Sequence, residues 1–261
     1  MSPSSNPQAV SGVLFDVDDT LVDTKGAFRH ALSAVASEYL RTGADVDEVL
    51  SFWRSDRQGS YRAHTRGEMD HREQRMRRAN DLHAAFGGPE MGQDDYEAWD
   101  LVFEQAFRDG WRAHDDAHAC LDALEAAGVA YGALSNARTE YQEEKLAAVG
   151  LARVPMLVGV DTLGFGKPDA RVFLLAAERL GFAPEATAYI GDELDIDAVA
   201  ATRAGLRGYW LDRFEAGESV ATHDDVSVVR IASLSEIPAK MGPAATRPAA
   251  SVLDGARNRL K

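Results

Sequence analysis

The stretch Val13–Asp23, with the sequence VLFDVDDTLVD, decides the fold of this chain. Three apolar residues run directly into the carboxylates Asp16, Asp18 and Asp19, and Thr20 follows them. An apolar run that ends in polar side chains is typical of a buried parallel strand that delivers those side chains at its C-terminal end. Because residues two apart along a strand share a face, Asp16 and Asp18 are predicted to point into one pocket.

Two carboxylates in one pocket repel each other unless a cation lies between them or one of them keeps its proton. The stretch therefore predicts a divalent metal site, an acid/base pair, or both. An acidic and solvated junction between a strand and a loop would explain the same composition. The ends of the other predicted strands decide between these interpretations.

The composition is that of an acidic chain with ample apolar content. Its 261 residues carry a formal net charge of -14, and 45% of them are hydrophobic, enough for one large domain or two small ones. The charge argues against nucleic-acid and membrane-surface partners, which favour basic proteins. A single cysteine, Cys120, excludes an intramolecular disulfide, and no signal-peptide pattern or membrane-length apolar run is present. We therefore expect a cytoplasmic protein.

The hydrophobic spacing divides the chain into a helical part and an alternating part. Over residues 24–115 apolar residues recur every three or four positions with no convincing strand, which predicts a separate helical bundle. Over residues 116–240 helices and strands alternate, which is typical of an α/β fold with a doubly wound parallel sheet. The expected division is a Rossmann-like core at 11–23 and 116–240, a helical domain at 24–115, and flexible tails at 1–10 and 242–261.

Two further predicted strands end in residues that suit the same chemistry. The strand AYGAL is followed by Ser135 and Asn136, and the strand TAYI is followed by Gly191 and Asp192. Because ligands of an open parallel sheet collect at the carboxyl ends of its strands, we expect these groups to meet the first acidic cluster. Together they suit a phosphate ester with a magnesium ion, although Ser135 and Asn136 could also be an ordinary helix N-cap.

Four ordered motifs carry a resemblance to a known family. They are DVDDT at Asp16–Thr20, LSN at Leu134–Asn136, GKPD at Gly166–Asp169 and GDELDID at Gly191–Asp197. In this order and at this spacing they resemble the motifs of the haloacid dehalogenase-like hydrolase superfamily, over about residues 12–240. The helical part between the first two motifs resembles the C1 type of cap, which is found in a phosphatase branch of that superfamily.

The resemblance implies a role for each motif residue. Asp16 would attack the substrate phosphorus and form an aspartyl-phosphate that water later hydrolyses. Asp18 would protonate the leaving oxygen and then activate the water, a role for which we expect neighbouring carboxylates to keep its pKa near the operating pH. Lys167 would neutralise charge on the phosphoryl oxygens. Asp19 stands where many members carry glycine, and aspartate tolerates unusual backbone angles better than most residues.

The resemblance also implies the donors around the phosphoryl group and the metal. Thr20 and Ser135 would supply hydroxyl groups, and the backbone near Ser135 and Asn136 would supply N–H donors close to a helix start. Oxygen ligands favour Mg²⁺ over zinc, and the histidines and the single cysteine show no zinc spacing. The implied metal ligands are Asp16, the backbone carbonyl of Asp18, Asp192 and Asp197, with Asp195 leaving the last of these open.

The predicted cap contains a locally basic segment. Residues 54–78 hold eight arginines and only four acidic residues. In the superfamily the cap sets the substrate specificity, so one or two of Arg62, Arg66 and Arg72 are hypothesised to contact an anionic or sugar part of the leaving group. A solvated helix face that is balanced by its own acids would explain the same pattern.

The sequence thus predicts a Mg²⁺-dependent phosphatase that acts on a small phosphorylated metabolite, such as a sugar, sugar-acid or nucleotide monophosphate, as a monomer or homodimer. A phosphomutase of the same superfamily would keep the same residues. A dehalogenase is disfavoured because it has no use for Asp18 or Asp192. A non-catalytic binding protein on this fold would be expected to lack at least one of Asp16, Asp18, Lys167 and Asp192, and all four are present.

Overall fold

The computed structural model describes residues 10–213 and 226–241. The flexible tails expected from the sequence lie outside the described residues, with the exception of Val10. Val10 is only 1% exposed and packs in the core beneath the sheet. Val10 therefore belongs to the packed core rather than to a tail.

A six-stranded parallel sheet forms the centre of the fold, with the strand order β3-β2-β1-β4-β5-β6. Phe15, the last residue of β1, lies opposite Ala133 of β2 and Ile190 of β4. This register brings the carboxyl ends of the three middle strands to one edge of the sheet. The strands are β1 Gly12–Phe15, β2 Ala130–Leu134, β3 Leu157–Val158, β4 Thr187–Gly191, β5 Arg207–Leu211 and β6 Val229–Ile231.

Ten helices surround or extend this sheet in the described chain. They are α1 Thr24–Tyr39, α2 Val46–Arg54, α3 Ser60–Thr65, α4 His71–Phe86, α5 Gln93–Asp109, α6 Ala117–Ala126, α7 Thr139–Ala148, α8 Ala170–Leu180, α9 Ala200–Arg203 and α10 Ile237–Lys240. Aspartates cap several of them, and Asp169, whose side chain accepts a hydrogen bond from the N–H of Arg171 at 2.9 Å, starts α8 directly after the GKP sequence.

The alternation of side chains along β1 builds a core on each face of the sheet. Val13 and Phe15 pack on one face with Leu121 of α6, whereas Leu14 packs on the other with Phe173 of α8. All four residues of β1 are buried. Each buried side chain of this kind contributes about 1.5–3 kcal/mol, so the strand that carries Asp16 is firmly anchored.

The helices α1, α2, α4 and α5 share a third cluster, rich in aromatic residues, in addition to the two sheet cores. The rings of Trp99 and Phe103 stack at 5.1 Å between centroids, and Arg78 lies 4.1 Å from the ring centre of Trp53. Residues 24–109, all of which are described, contain helices and no strand. The division into two domains with the bounds given above stays a prediction.

None of the helices in the described part of the chain combines the length and the apolar character needed to cross a membrane.

Candidate active site

Three carboxylates meet at the carboxyl ends of β1 and β4. Asp16 directly follows β1, Asp192 directly follows β4, and Asp197 lies in the helical turn Leu194–Val199. Each offers an oxygen within 4.8 Å of the others, and Asp16 and Asp197 are 6% and 1% exposed. Asp195, the other acid in this loop, is exposed. The structure thus brings Asp197, and not Asp195, to the cluster.

Lys167 provides the cation at the centre of the cluster. Its Nζ donates to Oδ1 of Asp16 at 2.7 Å, to Oδ1 of Asp197 at 2.7 Å and to the Tyr189 hydroxyl at 2.9 Å. Burial alone would lower the pKa of Lys167, but the two carboxylates outweigh burial and hold it well above its ordinary value. Lys167 is therefore a charged group, and it is only 3% exposed.

The cluster holds more negative charge than Lys167 can balance. Burial raises the pKa of Asp16 well above its ordinary value, and Asp197 adds to that effect against Lys167. Burial likewise raises the pKa of Asp192 well above its ordinary value, with Asp197 and Asp16 adding to it. Carboxylates in this state favour a second cation, and their oxygen-only donor set fits Mg²⁺.

Asp18 has a different environment from Asp16, although the two lie on the same short stretch. Its Oδ1 accepts hydrogen bonds from Lys145 Nζ and from Thr24 Oγ1, both at 2.6 Å, and its Oδ2 accepts one from Gln142 Nε2 at 2.6 Å. Burial raises the pKa of Asp18, but Lys145 outweighs this and brings the pKa below its ordinary value. The expectation that neighbouring carboxylates keep this pKa near the operating pH is therefore wrong.

Ser135 follows β2 and faces the same edge of the sheet. Its hydroxyl accepts hydrogen bonds from Gln142 Nε2 at 2.8 Å and from the N–H of Ala137 at 3.2 Å. Its own N–H donates to the carbonyl of Val158 at 2.9 Å and so belongs to the sheet. The N-cap position of α7 is Arg138, so the interpretation of Ser135 as an ordinary cap of this helix is wrong.

Asn136 fixes the backbone of the lysine loop. Its Oδ1 accepts from the N–H of Lys167 at 2.6 Å, and its Nδ2 donates to the carbonyl of Lys167 at 3.0 Å. This reciprocal pair holds Lys167 beside Asp16 from 31 residues away. The hydroxyl of Thr20, in contrast, is buried and has no hydrogen-bond partner within the described chain. Such an unsatisfied hydroxyl is typical of a site that a ligand completes.

The three arginines proposed from the sequence have different surroundings. Arg66 pairs with Glu68 at 2.6 Å, and Arg72 pairs with Glu97 at 2.8 Å, all with exposed side chains. The interpretation as a solvated helix face, balanced by nearby acids, therefore describes these two arginines better than substrate contact. Arg62 is exposed as well, and its charge acts on Glu193, the residue after Asp192.

Arg54 and Tyr61 approach the cluster although the sequence did not single them out. Arg54 Nη1 donates to Oδ2 of Asp19 at 2.6 Å, which explains why this buried aspartate, with φ of 54°, is tolerated. Burial raises the pKa of Tyr61, and the nearby charges of Asp18 and Glu193 raise it further. The sequence held no signal that singled out Arg54, because the need of Asp19 for a cationic partner follows from its burial in the folded chain.

Gln142 and Lys145 were also missed. Both lie on α7 and both bind Asp18, yet the sequence TEYQEEKLAA around them is typical of an exposed helix. Their side chains are 0% and 2% exposed. Only the contacts of α7 with the sheet reveal that these two polar residues face inward.

Comparisons with known proteins find phosphatases of similar sequence and a solved structure of similar fold. A phosphoserine phosphatase of Thermus thermophilus is 34% identical over 157 residues, which are 60% of this chain and 60% of that relative. A phosphoglycolate phosphatase of Xylella fastidiosa is 33% identical over 214 residues, which are 78% of this chain and 80% of that relative. The HAD hydrolase YfnB from Bacillus subtilis, solved with bound magnesium, superimposes with a TM-score of 0.72 at 23% identity, covering 88% of this chain and 97% of that one.

Because the sequence identity with YfnB is only 23%, that similarity shows a shared fold and nothing more. A family model described as haloacid dehalogenase-like hydrolase matches residues 10–205 of the 261 residues. That range contains all four sequence motifs and every residue of the carboxylate cluster. The chain therefore belongs to the haloacid dehalogenase-like hydrolases.

Proposed function

We propose that this protein is a Mg²⁺-dependent phosphatase that hydrolyses a small phosphorylated metabolite through an aspartyl-phosphate on Asp16. The observation that carries the proposal is the bond between Asp16 and the buried Lys167, beside Asp192 and Asp197. A carboxylate attacks a phosphate ester only where the charge of the ester is neutralised, and Lys167 together with a bound Mg²⁺ would supply that condition here. The phosphatases among the relatives support the same reaction.

The proposed reaction has two half-reactions at one phosphorus atom. In the first, an oxygen of Asp16 forms a bond to phosphorus, the bond from phosphorus to the leaving oxygen breaks, and that oxygen receives a proton from Asp18. In the second, water attacks the aspartyl-phosphate, gives its proton to Asp18, and releases Asp16 and inorganic phosphate. The lowered pKa of Asp18 favours its ionised form, which is the form that accepts the proton of the water in the second half-reaction. The proton that Asp18 gains there is the one that it delivers to the leaving oxygen in the next turnover.

The proposed metal site consists of oxygen ligands. The carboxylates of Asp16, Asp192 and Asp197, which offer oxygens within 4.8 Å of one another, and the backbone carbonyl of Asp18 would hold Mg²⁺. When bound, the ion would neutralise charge on the phosphoryl oxygens. The ammonium group of Lys167 stabilises the same charge from its position between Asp16 and Asp197.

The leaving group is proposed to lie toward α2 and α3. Tyr61 on α3 lies close enough to the site for the charges of Asp18 and Glu193 to raise its pKa. Arg62, also on α3, acts electrostatically on Glu193, and Arg54 at the end of α2 is hydrogen-bonded to Asp19. These polar side chains suit a sugar, sugar-acid or nucleotide leaving group. The net charge of -14 disfavours nucleic acid and anionic membranes as partners.

The proposal is tested by phosphate release from a panel of phosphorylated sugars, sugar acids and nucleotides, with Mg²⁺ and after its removal by a chelator. We expect Mg²⁺-dependent release that the Asp16→Asn variant loses. Asp195→Asn provides a matched control for Asp197→Asn, because both acids lie in one loop and only Asp197 reaches the cluster. Isomerisation of a sugar bisphosphate without phosphate release would favour a phosphomutase, and silence across the panel would favour a non-catalytic protein.

A further inference from the structure

Three hydrogen-bond donors from two helices, α1 and α7, surround the carboxylate of Asp18. Thr24 at the start of α1 is close in sequence, whereas Gln142 and Lys145 reach Asp18 from 124 and 127 residues away. Gln142 and Lys145 are one helical turn apart on α7, so they share the face that meets the sheet. Both oxygens of Asp18 are thus held from α7.

Burying the charged side chain of Lys145 in this position is energetically unfavourable. Its side chain is 2% exposed, and its Nζ lies 5.4, 5.9 and 5.5 Å from the ring centres of Phe107, Trp111 and Tyr141. Removing a charged group from water costs several kcal/mol, and a well-packed apolar residue commonly stabilises such a position at least as well. Stability alone therefore does not account for a lysine at the end of this aromatic pocket, directly against Asp18.

Gln142 connects Asp18 with Ser135, whose hydroxyl is predicted to bind the phosphoryl group. Its Nε2 donates to Oδ2 of Asp18 at 2.6 Å and to the hydroxyl of Ser135 at 2.8 Å. The amide therefore fixes the distance between the acid/base and the end of β2. The Gln142 side chain is 0% exposed, so its amide is held in this arrangement.

Helix α7 is itself held against α5. The Tyr141 hydroxyl donates to Oε2 of Glu104 at 2.9 Å, and Glu144 is paired with Arg108. These contacts lie on the helical turn that carries Gln142 and Lys145. The two residues thus act on Asp18 from a helix whose position is fixed by its contacts with α5.

We propose that Lys145 and Gln142 are positioning residues for Asp18, which orient its carboxylate for proton transfer to the leaving oxygen and from the attacking water. This inference rests on the proposed phosphatase function and goes beyond it, because it assigns a role in that reaction to two residues outside the four motifs. The competing explanation is a purely structural ion pair, which would stabilise the fold without influencing proton transfer.

The test compares leaving groups that differ in their need for a proton. For Lys145→Met we expect kcat/KM to fall by about 10²-fold or more with an alkyl phosphate from the active panel, and by less than about 10-fold with p-nitrophenyl phosphate. The reason is that nitrophenolate leaves without protonation. For Gln142→Met, which removes one donor, we expect the same preference with a smaller loss of about 3–10-fold. Glu143→Gln, on the exposed face of α7, is the matched control and should change neither value.

A second measurement separates positioning from a structural role. In an Asp18→Asn background, Lys145→Met should change kcat/KM by less than about 2-fold, because the group that it positions is already lost. Equal losses on both esters, or the same loss with and without Asp18, would overturn the inference. If Lys145→Met does not fold, as judged by circular dichroism, the leaving-group ratio of Gln142→Met decides. Failure of the proposed function would be seen separately, as absence of phosphate release by the unaltered protein and by Glu143→Gln.

Discussion

Replacing Lys167 by methionine should damage stability as well as activity. Lys167 makes three hydrogen bonds of 2.7, 2.7 and 2.9 Å while it is 3% exposed, and two of its partners are buried carboxylates. Its loss leaves Asp16 and Asp197 close together without their shared cation. Breaking a buried ion pair from one side costs about 3–5 kcal/mol. At about 2–4 °C per kcal/mol for a chain of this size, the melting temperature should fall by roughly 6–20 °C at neutral pH without Mg²⁺.

The pH dependence of this loss follows from the pKa shifts. The pKa values of Asp16 and Asp192 are already raised in the folded protein, mainly by burial, and removal of Lys167 would raise that of Asp16 further. A carboxylate with a raised pKa takes up a proton on folding, so this term favours folding at low pH and is lost as the pH rises through the folded pKa. The deficit of Lys167→Met should therefore be smaller at pH 5 than at pH 8.

The assay is thermal and urea unfolding of both proteins at pH 5 and pH 8, with and without Mg²⁺. The added cation should restore part of the stability of the variant by taking over the charge of Lys167. Lys240→Met is the control, because Lys240 pairs with Glu236 at 3.6 Å with 34% of its side chain exposed. A variant at Lys167 that melts within about 2 °C of the unaltered protein at pH 8 would refute the reasoning, since it would show that the cluster needs no cation.

Three further outcomes are expected. Titration with Mg²⁺ should raise the melting temperature of the unaltered protein, reaching about 2.7 kcal/mol of stabilisation at a hundred times the dissociation constant, and Asp192→Asn should abolish this response. Asp116→Asn should lower the free energy of unfolding in urea by about 1.5–3 kcal/mol, because Asp116 accepts hydrogen bonds from Arg213, Ser233 and the N–H of Leu234. The difference should disappear in acid as the pH falls through the lowered pKa of Asp116. Tyr61→Phe should raise KM by about 3–10-fold with little change in kcat, and unchanged kinetics on every active ester would exclude a substrate contact at this hydroxyl.

The sequence predicts those site residues that directly follow an apolar strand. The apolar run before Asp16 and the strand before Asp192 are buried parallel strands in the structure, and their register brings both carboxylates together. The rule that ligands gather at the carboxyl ends of such strands was enough to place Ser135 beside them. No distant contact had to be known.

The parts that the sequence does not predict depend on contacts between distant elements. Lys145 belongs to a helix whose composition is typical of a solvated surface, and only its contacts with Asp18 and with Phe107 of α5 show that it points inward. Arg54 is one of eight arginines in residues 54–78, and its contact with Asp19 depends on where the fold places that aspartate. A charge in a sequence has no partner until the chain is folded, so such residues cannot be ranked beforehand.

The opposite behaviour of Asp16 and Asp18 follows from the same principle. Asp16 and Asp18 are two positions apart in the sequence, and each accepts a hydrogen bond from a buried lysine of its own. Asp16 shares Lys167 with Asp197, so burial prevails and its pKa is raised, whereas Asp18 receives Lys145 together with two neutral donors and its pKa is lowered. Because Lys167 lies in a loop and Lys145 lies on α7, the opposite pKa shifts of Asp16 and Asp18 depend on the surrounding fold rather than on the DVDDT motif. A motif match alone would therefore not establish that this second carboxylate is a competent base, and the partners of Asp18 on α7 are the place to look for that competence.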